Sequence, residues 1–388
     1  MASDKIENVL ILQGGGSLGA FACGVLKSLV TKGIKIDIVA GTSIGGVDAA
    51  IIAGSVDHNH PERMLEEFWL ELANNSVDLT SPLMRSIVRE SALLSGFKGH
   101  IPKEDQINAI LNTISSITFG NDKFFIPRWR PDYAFKDPQY FTPLSWTYIY
   151  DNSPLLKTLE KYIDYTRLQP HGNPYARLII TAVNILTAES LTFDSANQQI
   201  TPKHILATSG YPSYNFPWTE LDGGIFTWDG GLLSNTPFAE VIDASPVTDK
   251  RLFFVENYPR RIEKLPENLH EVYHRTRDIM FCDKSKSSIK MSRIITRYLK
   301  YIEELYQTIE NNLDVSKIDK QRLESIRRTY KKMKHERGAE IKHIFRITRD
   351  ERVPRLYENT DFSISTIRES IKDGESKTNE VLDNMKIN

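Results

Sequence analysis

Hydrophobic residues come in short packets along this chain, and the packets alternate between strand-like runs and helix-like stripes. Residues 8–12, NVLIL, form a β-branched and leucine run closed by three glycines, as a strand buried on both faces does when it enters a tight turn. Leu18, Phe21, Ala22, Val25, Leu26 and Leu29 then recur at helical spacing, and Gly33 stands where that helix should stop. Residues 36–40, IDIVA, predict a second strand, followed by the turn GTSIGG and an apolar helix from Val47 to Ala53. This order of strand, turn and helix, twice repeated, predicts an α/β fold on a right-handed, parallel sheet.

From about Asn74 to Asp151 the periodicity weakens, and from Lys123 onward aromatics and prolines crowd together in FFIPRW, YAF and QYFTPLSWTYIY. A long irregular insertion is usually functional, and its aromatic content argues against disorder. The sheet resumes with strands at 177–185 and 191–194, a helix near 202–208, a hairpin-like LDGGIFTWDGG and a last core strand at 251–257. Beyond about 260 the character changes. Tyr298, Ile302, Leu305, Tyr306, Ile309 and Leu313 mark one face of a long charged helix, a second runs from about Ile318 to Glu336, residues 340–350 predict an edge strand, and the end is polar and helix-prone. The expected organisation is a catalytic domain over 1–260, with the insertion or lid at about 74–151, and a mainly helical C-terminal region over 261–388.

Composition narrows the function classes. Lysine plus arginine nearly cancels aspartate plus glutamate, leaving a formal charge of −1, so no overall field points to nucleic acid. Cys23 and Cys282 have no metal-ligand spacing around them and read as unpaired thiols, which fits a reducing cytoplasm. MASDKIENVL does not read as a secretory signal, and no apolar run approaches the ~18 residues that span a bilayer. A lipid substrate would have to be met from outside the membrane, as a peripheral protein meets it.

The glycine loop supports two incompatible stories. Gly14, Gly16 and Gly19 match G-x-G-x-x-G between a strand and a helix, the context of a dinucleotide-binding oxidoreductase, but the acid that should close the second strand is Asp37, which opens it. A phosphate-gripping P-loop fails because Ala20 stands where its lysine would be. The same loop makes a good oxyanion hole, with the amides of Gly15 and Gly16 turned toward one point and reinforced by the following helix dipole. Gly41-Thr42-Ser43-Ile44-Gly45 is a G-x-S-x-G directly after a strand, which predicts a nucleophile elbow with Ser43 pushed above the sheet edge. For the base, His270, His274, His335 and His343 read as solvated surface histidines. Asp229, in WDGG with Gly230 and Gly231, is the better candidate, and Asp222 is assigned to a hairpin turn.

GGGSLGAF, GTSIGG and WDGGLLSNTP, in this order, resemble the three signatures of the patatin-like phospholipases; HILATSGYP at 204–212 is also similar to that family, and TRDIMF at 276–281 resembles the extra domain of a bacterial subgroup. The resemblance covers about residues 8–257. It implies a three-layer α/β/α sheet, mostly parallel, with a mainly helical C-terminal appendage. It further implies a Ser43–Asp229 dyad without histidine, an oxyanion hole at Gly14, Gly15 and Gly16, structural glycines at 19, 41, 45, 230 and 231, and neither metal nor cofactor. The implied substrate is a lipid or other acyl ester. Two departures stand out: Leu18 replaces a basic residue common in the family, and Ala207-Thr208-Ser209-Gly210 replaces its usual alanine-serine-glycine. Trp129 and Trp146 suit a transient membrane-surface contact, although the aromatics could equally pack a satellite core. The helical tail reads as a packed appendage or a homo-oligomerisation element. If the dyad is misaligned, the chain would be a catalytically silent lipid-binding module.

Overall fold

The computed structural model of the protein describes residues 5–94, 104–312, 319–350 and 358–384. In chain order, strand β1 (Ile6–Leu12) leads through a short 3-10 turn into α1 (Ala20–Thr31), and β2 (Ile38–Gly41) leads directly into α2 (Ile44–Ala53). Helices α3 (Pro61–Asn74), α4 (Pro82–Leu94) and α5 (Glu104–Phe119) follow, then a two-stranded ribbon of β3 (Ile126–Pro127) and β4 (Tyr150–Asp151), and α6 (Pro154–Leu159). Next come β5 (Arg177–Asn184), β6 (Ser190–Asp194), α7 (Pro202–Ser209), β7 (Thr219–Leu221), β8 (Ile225–Asp229), α8 (Phe238–Ala244) and β9 (Asp249–Glu256). The chain closes with α9 (Leu269–Phe281), α10 (Lys286–Asn312), α11 (Lys320–Arg337), β10 (Ile341–Thr348) and α12 (Ile364–Asp383).

The central sheet runs β10-β9-β1-β2-β5-β8-β7, with β6 also paired to β5. β10, β9, β1, β2 and β5 are parallel, while β6 and β8 lie antiparallel to β5. Alternation along β1 makes the layers: Leu10 and Leu12 pack with α1, α2, α3 and α12 on one face, Val9 and Ile11 with α8 and α10 on the other. The expected three-layer, mostly parallel fold is therefore present, with a mainly helical C-terminal region.

One expectation needs correction. The stretch from 74 to 151 is not wholly irregular, because α4 and α5 occupy much of it; their apolar faces are punctuated by polar residues too closely to stand out in sequence. The C-terminal region is closely packed into the fold. β10 does form the edge strand expected at 340–350, but it extends the sheet parallel to β9, and α12 returns to lie on α1. That crossing is close: a Cβ on Gly24 would fall on the carbonyl of Ile371, and one on Gly374 on the carbonyl of Phe21. The glycines let two helix backbones touch.

Candidate active site

Register brings the candidate residues together. Gly41 pairs with both Leu12 and Ile180, so β1 and β2 end side by side at the level of Ile180 in β5. Two residues beyond Ile180, Ala182 pairs with Asp229 at the end of β8, while two residues beyond Gly41 stands Ser43. Both side chains thus emerge at the same level above the sheet's carboxyl edge, beside the glycine loop that leaves β1.

Ser43 adopts φ 60°, ψ −133°, a conformation a serine holds only when its surroundings impose it. Those surroundings are visible. A Cβ on Gly41 would fall on the carbonyl of Gly45, and one on Gly45 would lie 2.5 Å from the carbonyl oxygen of Leu12, so the turn closes only with glycine at both places. The amide of Ser43 donates to Thr208 Oγ1 at 3.0 Å, and its carbonyl accepts from Gly46 and Val47, which starts α2 directly behind it. Thr42 and Thr181 share a buried hydroxyl hydrogen bond of 2.8 Å that ties the elbow to β5.

Asp229 is fully buried. Its Oδ1 accepts from the amide of Gly231 at 2.7 Å, while Oδ2 has no partner within hydrogen-bonding distance among the described residues. Burial pushes its pKa up to about 7, against weaker downward pulls from the Ser43 hydroxyl and the Gly231 amide. The hydroxyl is thus near enough to stabilise the carboxylate, but the contact is looser than a full hydrogen bond. Gly230 keeps this strand end against β5, since a Cβ there would fall on Thr181 Oγ1.

The glycine loop lies over the serine: a Cβ on Gly14 would be 2.7 Å from that of Ser43. The three glycines differ in role. Gly14's amide is taken by Asn235 Oδ1 at 3.1 Å, which removes it from the expected donors. The amides of Gly15 (φ 156°) and Gly16 (φ 58°) donate to no described group. Asn257 clamps the loop from behind through the carbonyls of Gln13 and Gly14, and Gln13 Nε2 donates to Thr236 at 2.9 Å. Gly19 faces Trp69 and Asp48 in the core, and Asp37 sits at the far, amino end of β2, where its carboxylate accepts from the Asn8 amide; no dinucleotide geometry results. Asp222 occupies the β7–β8 turn beside Gly223 and Gly224, both at positive φ, with its carboxylate in solvent.

Above Ser43 and Asp229 opens a cavity of about 320 Å³. Its walls are largely aromatic: Phe124, Phe125 and Tyr150 from the insertion, Tyr211 and Phe216 after α7, and Phe281 and Phe362 from the C-terminal region. The C-terminal region thus contributes to the site wall, and the reading of His274 as a solvated surface histidine is wrong. His274 is buried in a charged cluster with Arg277, Asp278 and Glu358. Of the residues sequence reasoning did not single out, Asn235 lies in the SNTP motif and Thr208 in ATSG, so those motifs held the signal; Asn257, Asn359 and Phe362 carried none. Among the described residues, no three His, Cys, Asp or Glu side chains converge as metal ligands, and no helix is long and apolar enough to cross a membrane.

The sequence model of the family described as Patatin-like phospholipase matches residues 10–242, which span the glycine loop, the elbow and Asp229. The chain belongs to the patatin-like phospholipase family. Among curated relatives, a putative patatin-like phospholipase domain-containing protein of Caenorhabditis elegans is 36% identical over 74 residues, 19% of this chain and 7% of that protein. Lysophospholipase nte1 of Aspergillus terreus is 48% identical over 48 residues, 12% of this chain and 3% of that one. The matched stretch is thus a small fraction of the length of these relatives. Among solved structures, VipD from Legionella pneumophila aligns over 99% of this chain and 68% of its own, with TM-score 0.39 and 14% identity. The type III effector protein ExoU aligns over 98% and 53%, with TM-score 0.33 and 12% identity.

Proposed function

We propose that this patatin-like protein is a serine lipid acyl hydrolase, of phospholipase A, acylglycerol lipase or esterase type, working through a Ser43–Asp229 dyad. One observation carries the reading: a serine held at positive φ stands beside a buried carboxylate whose free oxygen has no other partner among the described residues, under two backbone amides that donate to no described group. Ser43 Oγ attacks the ester carbonyl while its proton passes to Asp229 Oδ2. The amides of Gly15 and Gly16 stabilise the tetrahedral oxyanion, and the dipole of α2 acts in the same sense. Collapse releases the alcohol, which takes the proton from Asp229, and water then frees the acyl group by the same steps. An acid with a pKa near 7 suits this work, being a far stronger base than an ordinary aspartate while still about half ionised at neutral pH.

The aromatic cavity accounts for the acyl chain, and its volume is that of a small-ligand pocket. Lipid would be reached from outside the bilayer through the exposed Phe135, Phe141 and Leu144 of the insertion. Tyr298, Leu305 and Ile309 of α10 remain partly exposed and support a homo-oligomer through the tail, to be read by sedimentation equilibrium. Ser43→Ala and Asp229→Asn are each expected to abolish p-nitrophenyl ester hydrolysis with circular dichroism unchanged. Retained turnover in either would refute the dyad. Loss of fluorophosphonate labelling in Ser43→Ala separates the enzyme from a silent lipid-binding module. Lipid mass spectrometry on a phospholipid and acylglycerol panel, wild type against Ser43→Ala, would then fix the substrate class.

A further inference from the structure

Asn359 is only 4% exposed, yet it lines the cavity with Gly15, Gly16 and Ser43. Its Oδ1 is shielded and accepts nothing, and its Nδ2 donates to no described group. A buried carboxamide whose oxygen is left unsatisfied is a poor structural element, because that oxygen has given up water without recovering a hydrogen bond. Such a group is retained where something else supplies the partner. With no partner fixing which end is which, the amide can present its N–H to whatever enters the cavity.

The chain delivers this residue firmly. The carbonyl of Glu358 accepts from Ser17 Oγ at 2.9 Å, directly after the glycine loop, and its buried carboxylate meets Arg277 at 3.0 Å and Arg349 at 2.6 Å. On the other side Phe362 is stacked against Trp69 and packs on Phe124. The carbonyl of Asn359 itself sits where a Cβ of Gly16 would be, and the two Cβ positions would be 3.6 Å apart. The carboxamide therefore projects from a fixed backbone immediately beside one of the two unused amides.

We propose that Asn359 is a third donor of the oxyanion site, contributed by the C-terminal segment. The inference rests on the Ser43–Asp229 reading. As the Ser43 Oγ–carbon bond forms, the carbonyl π pair moves onto oxygen and the serine proton goes to Asp229. Three N–H groups, from Gly15, Gly16 and Asn359 Nδ2, then hold the negative oxygen. On collapse the pair returns, the carbon–oxygen bond to the alcohol breaks, and Asp229 gives its proton to the leaving oxygen. Nothing beyond ester and water is consumed.

The test measures p-nitrophenyl butyrate hydrolysis by the full chain for wild type, Asn359→Leu, Asn359→Asp and Ser43→Ala. Asn359→Leu, nearly isosteric and without donors, should lose about 100-fold in kcat with KM within roughly threefold, as the removal of a single oxyanion donor does. Asn359→Asp keeps the shape, so it serves even if the leucine variant does not fold. Its rate relative to wild type should climb as pH falls, because the protonated carboxyl regains a donor while the titration of Asp229 cancels in the ratio. A kcat near wild type, a loss confined to KM, or a ratio flat with pH would overturn the proposal. Turnover surviving in Ser43→Ala would instead remove the dyad; a dead Ser43→Ala beside wild-type behaviour at position 359 would remove only the role of Asn359.

Discussion

The amide of Ser43 donates to the hydroxyl of Thr208 at 3.0 Å, which joins the turn that carries Ser43 to a helix 165 residues further along the chain. The bond matters because the amide belongs to the residue at positive φ, and Thr208 is itself completely buried. Thr208→Val keeps the volume and removes the acceptor. It should cost about 1–3 kcal/mol of stability by denaturant titration, the usual penalty for stranding a buried donor. A relaxed turn also misplaces Oγ, so kcat should fall at least ~10-fold, since small displacements of a reacting group cost one to two orders of magnitude. Thr208→Ser should restore both, and a Val variant with wild-type kcat would show that the turn holds without the bond.

The raised pKa of Asp229 has two consequences with opposite signs. As a base it must be ionised, so kcat/KM should rise with pH through an inflection near 7 and fall away on the acid side. For stability, the folded protein holds the Asp229 proton more tightly than the unfolded chain. That contribution is fully present below about pH 4 and is lost as pH rises through 7. Asp229→Asn should therefore be more stable than wild type at pH 8, by an amount on the order of 4 kcal/mol from a shift of about three units, and show little gain at pH 4. Thermal melts of the two proteins at both pH values check it; a gain that does not change with pH would contradict the burial argument.

The turns at the sheet's carboxyl edge were legible in the sequence because each is local. A strand, a tight turn and a helix sit within one stretch around Gly14–Gly16, and again around Ser43, and glycine spacing reports both. Asp229 was readable for the same reason, and Asp222 was set aside on turn chemistry that Gly223 and Gly224 obey. What was not legible is made by the fold returning on itself. Asn359 and Phe362 reach the cavity from over three hundred positions after the glycine loop, and no local pattern marks a residue whose neighbours arrive from the opposite end of the chain. His274 misled because a histidine among arginines and acids in an amphipathic helix looks solvated, whereas Glu358 folds over it.

The close crossing of α1 and α12 yields a stability prediction that also reaches the site. Gly374→Val would drive a side chain into the backbone of α1 at Phe21, and overpacking of this kind costs about 1–3 kcal/mol or more. α12 begins directly after the segment that carries Asn359 and Phe362. The variant should therefore lose fluorophosphonate reactivity under conditions where circular dichroism still reports folded protein. A destabilised but fully reactive variant would mean that the segment is held without the helix.

The buried cluster behind that segment should be intolerant of partial removal. Burial alone would raise the pKa of Glu358, but Arg349, with His274 and Arg277, outweighs it and holds the carboxyl well below the usual carboxylate range. Its stabilising contribution is thus present above about pH 4 and lost as pH falls further. Glu358→Gln leaves Arg277 and Arg349 without their shared carboxylate and should cost about 3–5 kcal/mol at pH 7, with a smaller difference at pH 3, where the unfolded chain is protonated but the folded carboxylate is still ionised. Denaturant midpoints at the two pH values measure it, and an equal cost at both would show that the loss is one of shape, not of charge.

Membrane contact is best tested away from the tryptophans, because both are engaged in holding the insertion together. Trp146 Nε1 donates to the carbonyl of Gln139 at 2.8 Å and its ring lies 4.6 Å from the Arg128 guanidinium, while Trp129 Nε1 donates to the carbonyl of Thr118 at 3.0 Å. Removing them would disturb the fold and the surface at once. Phe135, Phe141 and Leu144 are 94%, 78% and 104% exposed, so their apolar surface contributes little to the folded state and is free for a bilayer. Each large apolar side chain transferred from water gains about 1.5–3 kcal/mol when fully buried. The triple serine variant should therefore bind zwitterionic liposomes at least ~10-fold more weakly by co-sedimentation, while hydrolysing a soluble p-nitrophenyl ester at the wild-type rate. Equal liposome binding by the two proteins would place the lipid-facing surface elsewhere, and a parallel loss on the soluble ester would mean that these side chains shape the cavity and not its approach to lipid.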